Sequence, residues 1–108
     1  MASGEADLTI DIGVEPGAAV LSVAGQLDLL SAPRLASELM AVQFTQTDGD
    51  LILDLGGLTF IDSSGLRVLI DAHLTQNERG HRLVLRNVPG QVARLLEVTN
   101  LAGRLVLE

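Results

Sequence analysis

The feature that most constrains this chain is an apolar run that ends abruptly in small polar residues, where a helical pattern takes over. Leu51-Ile52-Leu53-Asp54-Leu55 and Leu58-Thr59-Phe60-Ile61 read as a strand. Their near-continuous apolar character predicts burial on both faces, as in sheets with crossover helices. After Asp62-Ser63-Ser64-Gly65, the residues Leu66, Leu69, Ile70, His73 and Leu74 recur at i, i+3, i+4 spacing, the period of an amphipathic helix. The junction is a strand-to-helix turn. It sets two hydroxyls and a carboxylate where the first N–H groups of a helix lack partners and the helix dipole favours negative charge.

The remaining elements follow from periodicity and turn chemistry. Leu8, Ile10, Ile12 and Val14 alternate with Thr9, Asp11 and Gly13, which predicts a half-buried strand. Glu15-Pro16-Gly17 turns the chain into a second strand over Ala18 to Val23, paired antiparallel with the first. Gly25 to Ser31 closes that hairpin, with Ser31 as N-cap and Pro33 in the first turn of a helix carrying Leu35, Ala36, Leu39 and Met40. Thr45 to Asp50 is a polar connection, and Gly56-Gly57 predicts a bulge or bend in the central strand. Gly80 ends the central helix from the C′ position, and Arg82 to Arg86 is a short strand. Pro89 opens a third helix with Val92, Leu95 and Leu96 on its buried side; Asn100 and Gly103 break it, and Leu105-Val106-Leu107 is the last strand. The order β-β-α-β-α-β-α-β implies an α/β fold with right-handed crossovers, a mixed sheet with helices packed against it. Residues 1–7 are expected to be a flexible terminus, and 8–108 one domain.

Composition narrows the function. Acidic residues number 14 against 7 basic, all arginine, and the net charge of −7 argues against nucleic acid and anionic lipid as partners. Aromatic residues make up 2% of the chain, so stacking platforms for single strands or sugars are missing and the core is aliphatic. Without cysteine there is neither a disulfide framework nor a thiolate, which fits a reducing compartment, the cytoplasm. Neither a signal peptide nor a run of ~20 apolar residues is present.

The polar residues at the turn admit a plain reading and a chemical one. Ser63 and Ser64 could be helix caps. Asp62 can already cap, however, and Leu66 stands where a capping box needs Glu or Gln, so the hydroxyls are surplus. Asp28 could be an Asx turn, or it could join Asp62 and the serines in one polar patch. A hydrolase would need a base beside the serine. His73 lies roughly 15 Å along the same helix by its rise, His81 is in a turn, and the first glycine of a nucleophile elbow is missing. Gly56-Gly57 has no P-loop spacing and the chain has no lysine. The scattered His and carboxylates show no metal-ligand spacing. We expect no catalytic activity, no cofactor and no metal.

The segment Asp62-Ser63-Ser64-Gly65-Leu66 resembles the signature of the STAS domain, named for sulphate transporters and anti-sigma factor antagonists. Gly25-Gln26-Leu27-Asp28 followed by Ser31-Ala32-Pro33, the strand Leu53-Asp54-Leu55, the strand Arg82-Leu83-Val84-Leu85 and the Pro-headed third helix fall in the family's order, so the likeness spans roughly residues 8 to 107. The resemblance implies a stand-alone anti-sigma factor antagonist. In such members an anti-sigma factor that is also a serine kinase binds the unmodified domain and releases its sigma factor. The kinase then phosphorylates the first hydroxyl of the motif, here Ser63, and a metal-dependent serine phosphatase reverses this. Asp28 would lie beside the modified serine and aid the contact; Ser64 is a neighbour often replaced by Thr. The partner-binding set implied is Asp28, Asp62, Ser63, Ser64, Gly65, Leu66 and Arg67. Arg67 stands where the best-known sporulation-type members carry glycine, which implies selection of a different kinase. The final helix that many members add is missing after the last strand, which implies a less covered sheet face and a monomer or weak homodimer. The alternative is a STAS scaffold that is never phosphorylated, a subunit of a transport or stress-signalling complex.

Overall fold

A computed structural model describes residues 8–45, 49–100 and 105–108. The expected loose terminus over 1–7, the middle of the polar connection before Asp50 and the break at Gly103 lie outside the described residues. The elements are β1 (Leu8–Glu15), β2 (Ala18–Leu27), α1 (Ala32–Thr45), β3 (Asp50–Ile61), α2 (Ser63–Glu78), β4 (Leu83–Arg86), α3 (Gly90–Val98) and β5 (Val106–Leu107). Their order is the one the periodicity predicts.

Strand order in the sheet follows chain order, β1-β2-β3-β4-β5, with β1 antiparallel to β2 and every other pair parallel. Each crossover advances one strand in the same direction, so a common right hand puts all three helices on one face. The core agrees. Leu51, Leu53 and Leu55 of β3 share one buried cluster with Leu35 of α1, Leu69 of α2 and Leu96 of α3.

The double-faced burial expected of β3 is therefore only half the work of helices. Ile52 and Val84 are each 8% exposed, yet they stand outside that cluster. Register aligns them with Val20 and Val106 on the opposite face. Glu15, Arg86 and Glu108 belong to this face too. Arg86 Nη1 donates to Glu15 at 2.8 Å and its Nε to Glu108 at 2.6 Å, which straps the first strand to the end of the last. Further along, Arg82 makes a two-pronged pair with Asp50, at 3.0 Å and 3.2 Å.

These pairs predict an acid-side weakness. Hydrogen bonding from Arg86 holds the Glu15 carboxyl below its usual range, and the Arg82 backbone N–H, then its side chain, does the same for Asp50. A depressed folded-state pKa adds stability above the unfolded value, roughly pH 4, that is lost as the pH falls through the folded one. Thermal unfolding followed from pH 6 to pH 3 is expected to fall more steeply for the wild type than for Arg86→Ala. Parallel curves would contradict this.

Two glycines mark where β3 must bend. Ser22 pairs with Asp54 but Ala24 with Gly57, and Gly25 pairs with Leu58 but Gln26 with Phe60, so β3 carries an extra residue at each of two places. The bulge expected at Gly56-Gly57 is present, and a Cβ on Gly57 would stand 2.7 Å from that of Ala24. Gly25, in contrast, is not a closing turn. It lies inside β2 at φ 104°, and the strand runs on to Leu27.

Helix faces shift by a position or two from the expected stripes. On α1, Leu35, Leu39, Val42 and Gln43 are buried while Met40 is exposed; on α2, Val68, Ala72 and Gln76 are buried while Leu74 is exposed. Gln43 Nε2 donates to the Ala72 carbonyl at 3.0 Å, and Gln76 Nε2 to the Arg82 carbonyl at 3.0 Å, so both buried amides are satisfied. Helix α2 ends as its glycine predicts: Gly80, at φ 79°, donates to Asn77 and His81 to Gln76, a Schellman closure. On β1 only Leu8 is buried, whereas Ile12 and Val14 are exposed. Arg34 of α1 bonds the Leu8 carbonyl, so α1 covers that end of the edge strand alone. No helix among the described residues is long and apolar enough to cross a membrane.

Candidate functional site

The site begins where β3 hands over to α2. Asp62, extended at φ −119°, is the N-cap, and its Oδ1 accepts from the Ser64 N–H at 2.9 Å and the Gly65 N–H at 3.1 Å. The cap duty thus falls on Asp62, as its position suggested. No described residue bonds the Ser63 or Ser64 hydroxyl, and Ser63 is exposed at the head of the helix.

The same carboxylate reaches a second loop. Asp62 Oδ2 accepts from the Leu29 N–H at 3.2 Å, and the Asp62 N–H donates to the Leu27 carbonyl at 3.2 Å. Gly65 then lies against the end of β2, so close that a Cβ there would stand 2.6 Å from Leu27 Cγ. These contacts join the β2–α1 loop to the β3–α2 turn, and both strands end on the same side of the sheet.

Asp28 builds that loop. Its Oδ1 accepts from the Leu30 N–H at 3.0 Å and the Ser31 N–H at 3.1 Å, an Asx turn. Ser31 is not the side-chain cap its position suggests. Its hydroxyl is turned back to donate to the Gln26 carbonyl at 2.8 Å, while its backbone carbonyl accepts from Arg34 and Leu35.

Between the two loops lies an open cleft of about 480 Å³ lined by Leu29, Ala32, Pro33, Ser63, Arg67 and Val68, with Ser64 at its wall. Ser63, Ser64 and Arg67 of the expected binding set are brought together there, and Asp62 supports them from beneath. Asp28 does not line the cleft; its part is to fold the loop that does. Gly65 and Leu66 of the same set are buried, on the side of α2 that faces the core.

Leu29 and Leu30 are 69% and 82% exposed, although the sequence analysis assigns them no role beyond the loop that closes β2. Two adjacent leucines in a segment with neither strand alternation nor helix period were the available signal. Together they offer apolar surface beside the cleft that nothing in the described fold covers. Among the described residues His73 does not serve as a base for the serine: its ring pairs through Nε2 with Asn77 at 3.3 Å, on the third turn of the helix.

Comparison with known proteins places this geometry in a family. Residues 4–108 match the model of the family described as "Mlab, STAS domain". The anti-sigma-B factor antagonist of Bacillus subtilis (strain 168) is 27% identical over 95 residues, 88% of this chain and 85% of that protein. The crystal structure of an anti-sigma factor antagonist from Mycobacterium paratuberculosis superposes with a TM-score of 0.77 at 28% identity, over 93% of this chain and 84% of that one. The phosphorylated form of the Bacillus cell fate determinant SpoIIAA shares the fold, with a TM-score of 0.73 at 17% identity over 93% of this chain and 91% of that one. A match over nearly the whole length, with a mixed five-stranded sheet and three helices among the described residues, makes this chain a member of the STAS domain family.

Proposed function

We propose that the chain is an anti-sigma factor antagonist: unphosphorylated, it binds an anti-sigma factor with serine kinase activity and so frees a sigma factor, and phosphorylation of Ser63 ends the partnership. The observation that carries this reading is the exposed Ser63 hydroxyl, left free because Asp62 alone caps α2, beside a cleft with exposed Leu29. The names of the relatives support it, as does a phosphorylated relative that keeps this fold. In the transfer, Ser63 Oγ takes the γ-phosphoryl group of a nucleoside triphosphate held by the partner. The bond to the β-phosphate oxygen breaks, the nucleoside diphosphate leaves, and the serine proton passes to a base on the partner. The chain supplies the acceptor and no catalysis. A metal-dependent serine phosphatase returns it to the binding form, and the reading puts the protein in the cytoplasm.

The physical logic is local charge. A phosphate brings about −1.5 to −2 charges and three acceptor oxygens. At the head of a helix the domain tolerates it, whereas a partner surface shaped for a neutral hydroxyl meets a desolvated like charge or a clash. Ser63→Ala and Ser63→Asp baits in extract of the native cell test this. The alanine bait is expected to retain a nucleotide-binding kinase partner, and the aspartate bait at least tenfold less, equivalent to about 1.4 kcal/mol. Equal recovery would overturn the switch and leave the unphosphorylated scaffold.

A further inference from the structure

Arg67 is the sole cation lining the cleft among the described residues. It sits four residues after Ser63 on α2, so the two side chains are neighbours on one helix face, with Cβ atoms roughly 5–6 Å apart. Its present partner is weak. Arg67 Nε stands 3.8 Å from Asp71 Oδ2, and the two side chains are 81% and 64% exposed. Exposed pairs of that kind contribute little and release their members readily.

The helix offers the cation no support at that position, since Arg67 lies in the second turn from the positive end of the helix dipole. A phosphate on Ser63 would reverse that balance. It offers oxygens in the geometry that a guanidinium binds with two parallel N–H donors, and Arg makes such contacts better than Lys. The helix head accepts the added charge, and the arginine would offset the carboxylate of Asp62 that adjoins Ser63 directly.

We infer that Arg67 is the receiver of the Ser63 phosphate: on modification it leaves Asp71, one turn further along the helix, and clamps the phosphate one turn back. The inference rests on the reading of Ser63 as the modified residue. Its consequence is regulatory. The clamp holds the phosphate against α2 and draws the arginine head along the helix toward Ser63, on the wall of the cleft that faces Leu29 and Pro33. Two elements of the docking surface thus change with one covalent event: the hydroxyl is replaced, and the guanidinium is drawn from Asp71 onto the phosphate.

The test needs neither kinase nor partner, so its failure is separable from failure of the partner switch. Phosphoserine is placed at position 63 during translation, and the second ionisation of the phosphate is followed by phosphorus NMR against pH in the wild type, Arg67→Gln and Asp71→Asn. A phosphoserine in water has that ionisation near pH 6. Removing the arginine is expected to raise it by about half a pH unit or more, with the difference shrinking as salt is added. Asp71→Asn, which frees the arginine, is expected to hold it at or below the wild-type value. Circular dichroism confirms that these exposed-site variants fold. Superimposable titrations for the wild type and Arg67→Gln would overturn the inference.

Discussion

Replacing Gly65 by valine is expected to remove about 3 kcal/mol or more of folding stability. The position is helical, and a helix gains about half a kcal/mol in propensity when Gly becomes Val, so propensity alone would predict a stabilised protein. Close packing decides the opposite. A Cβ on Gly65 would meet Leu27 Cγ at 2.6 Å, Ile61 Cγ1 at 2.9 Å and the Leu27 carbonyl oxygen at 2.9 Å. Leu27 is fully buried and Ile61 nearly so, and both terminate central strands, so neither can yield without moving the sheet. The strain must go into lifting α2 from the ends of β2 and β3. That displaces Ser63 as well. A thermal unfolding midpoint lowered by roughly 15 °C is the expected result, with Gly65→Ala between it and the wild type. A valine variant within about 1 kcal/mol of the wild type would show that the helix does not need this approach.

The second large effect belongs to Asp62, which has two separable tasks. Asp62→Ala is expected to cost about 2 kcal/mol, since it removes a helix cap and the tether to the neighbouring loop together. Asp62→Asn should cost about half as much. Asparagine caps as well as aspartate, but its amide has one acceptor oxygen where the carboxylate has two. That oxygen can serve the Ser64 and Gly65 N–H groups or the Leu29 N–H, not all of them. Hydrogen exchange resolves the two tasks. The Leu29 amide is expected to exchange faster in both variants, and the Ser64 and Gly65 amides faster in the alanine variant only. Unchanged Leu29 exchange in Asp62→Asn would mean that the loop carrying Leu29 and Leu30 is held by something other than Asp62.

Both predictions concern a corner whose local chemistry was readable from residues alone. Asp62 as cap, Gly80 in the left-handed position and Gly56-Gly57 as a bulge are each dictated within a few bonds, because a helix end or a strand bend satisfies its own N–H groups with nearby atoms. Ser31 shows the limit of such reasoning. It occupies the cap position, yet its hydroxyl is drawn back to Gln26 and Asp28, because the Asx turn of Asp28 folds the loop back and sets those acceptors within its reach. Asp28 likewise belongs to the loop's construction, and a place beside the serines does not follow from its place in the motif.

By itself the sequence determined the order of strands and helices and some of the residues that end them, Asp62 and Gly80 among them, since period and turn chemistry are properties of short segments. Only the tertiary structure decided which residues those segments would share. Gln43 and Gln76 are buried and Leu74 is not, because the contact between α1 and α2 selects the covered stripe and no single helix carries that contact in its own residues. Ile12 and Val14 look as apolar as Leu8 but stay in water, because an edge strand is covered only as far as the neighbouring helix extends. Arg86 joins Glu15 to Glu108 across 71 and 22 residues of chain, a pairing that exists only once the sheet is assembled. The cleft between Leu29, Ser63 and Arg67 has the same origin: its walls come from two loops that meet because β2 and β3 lie side by side and end together.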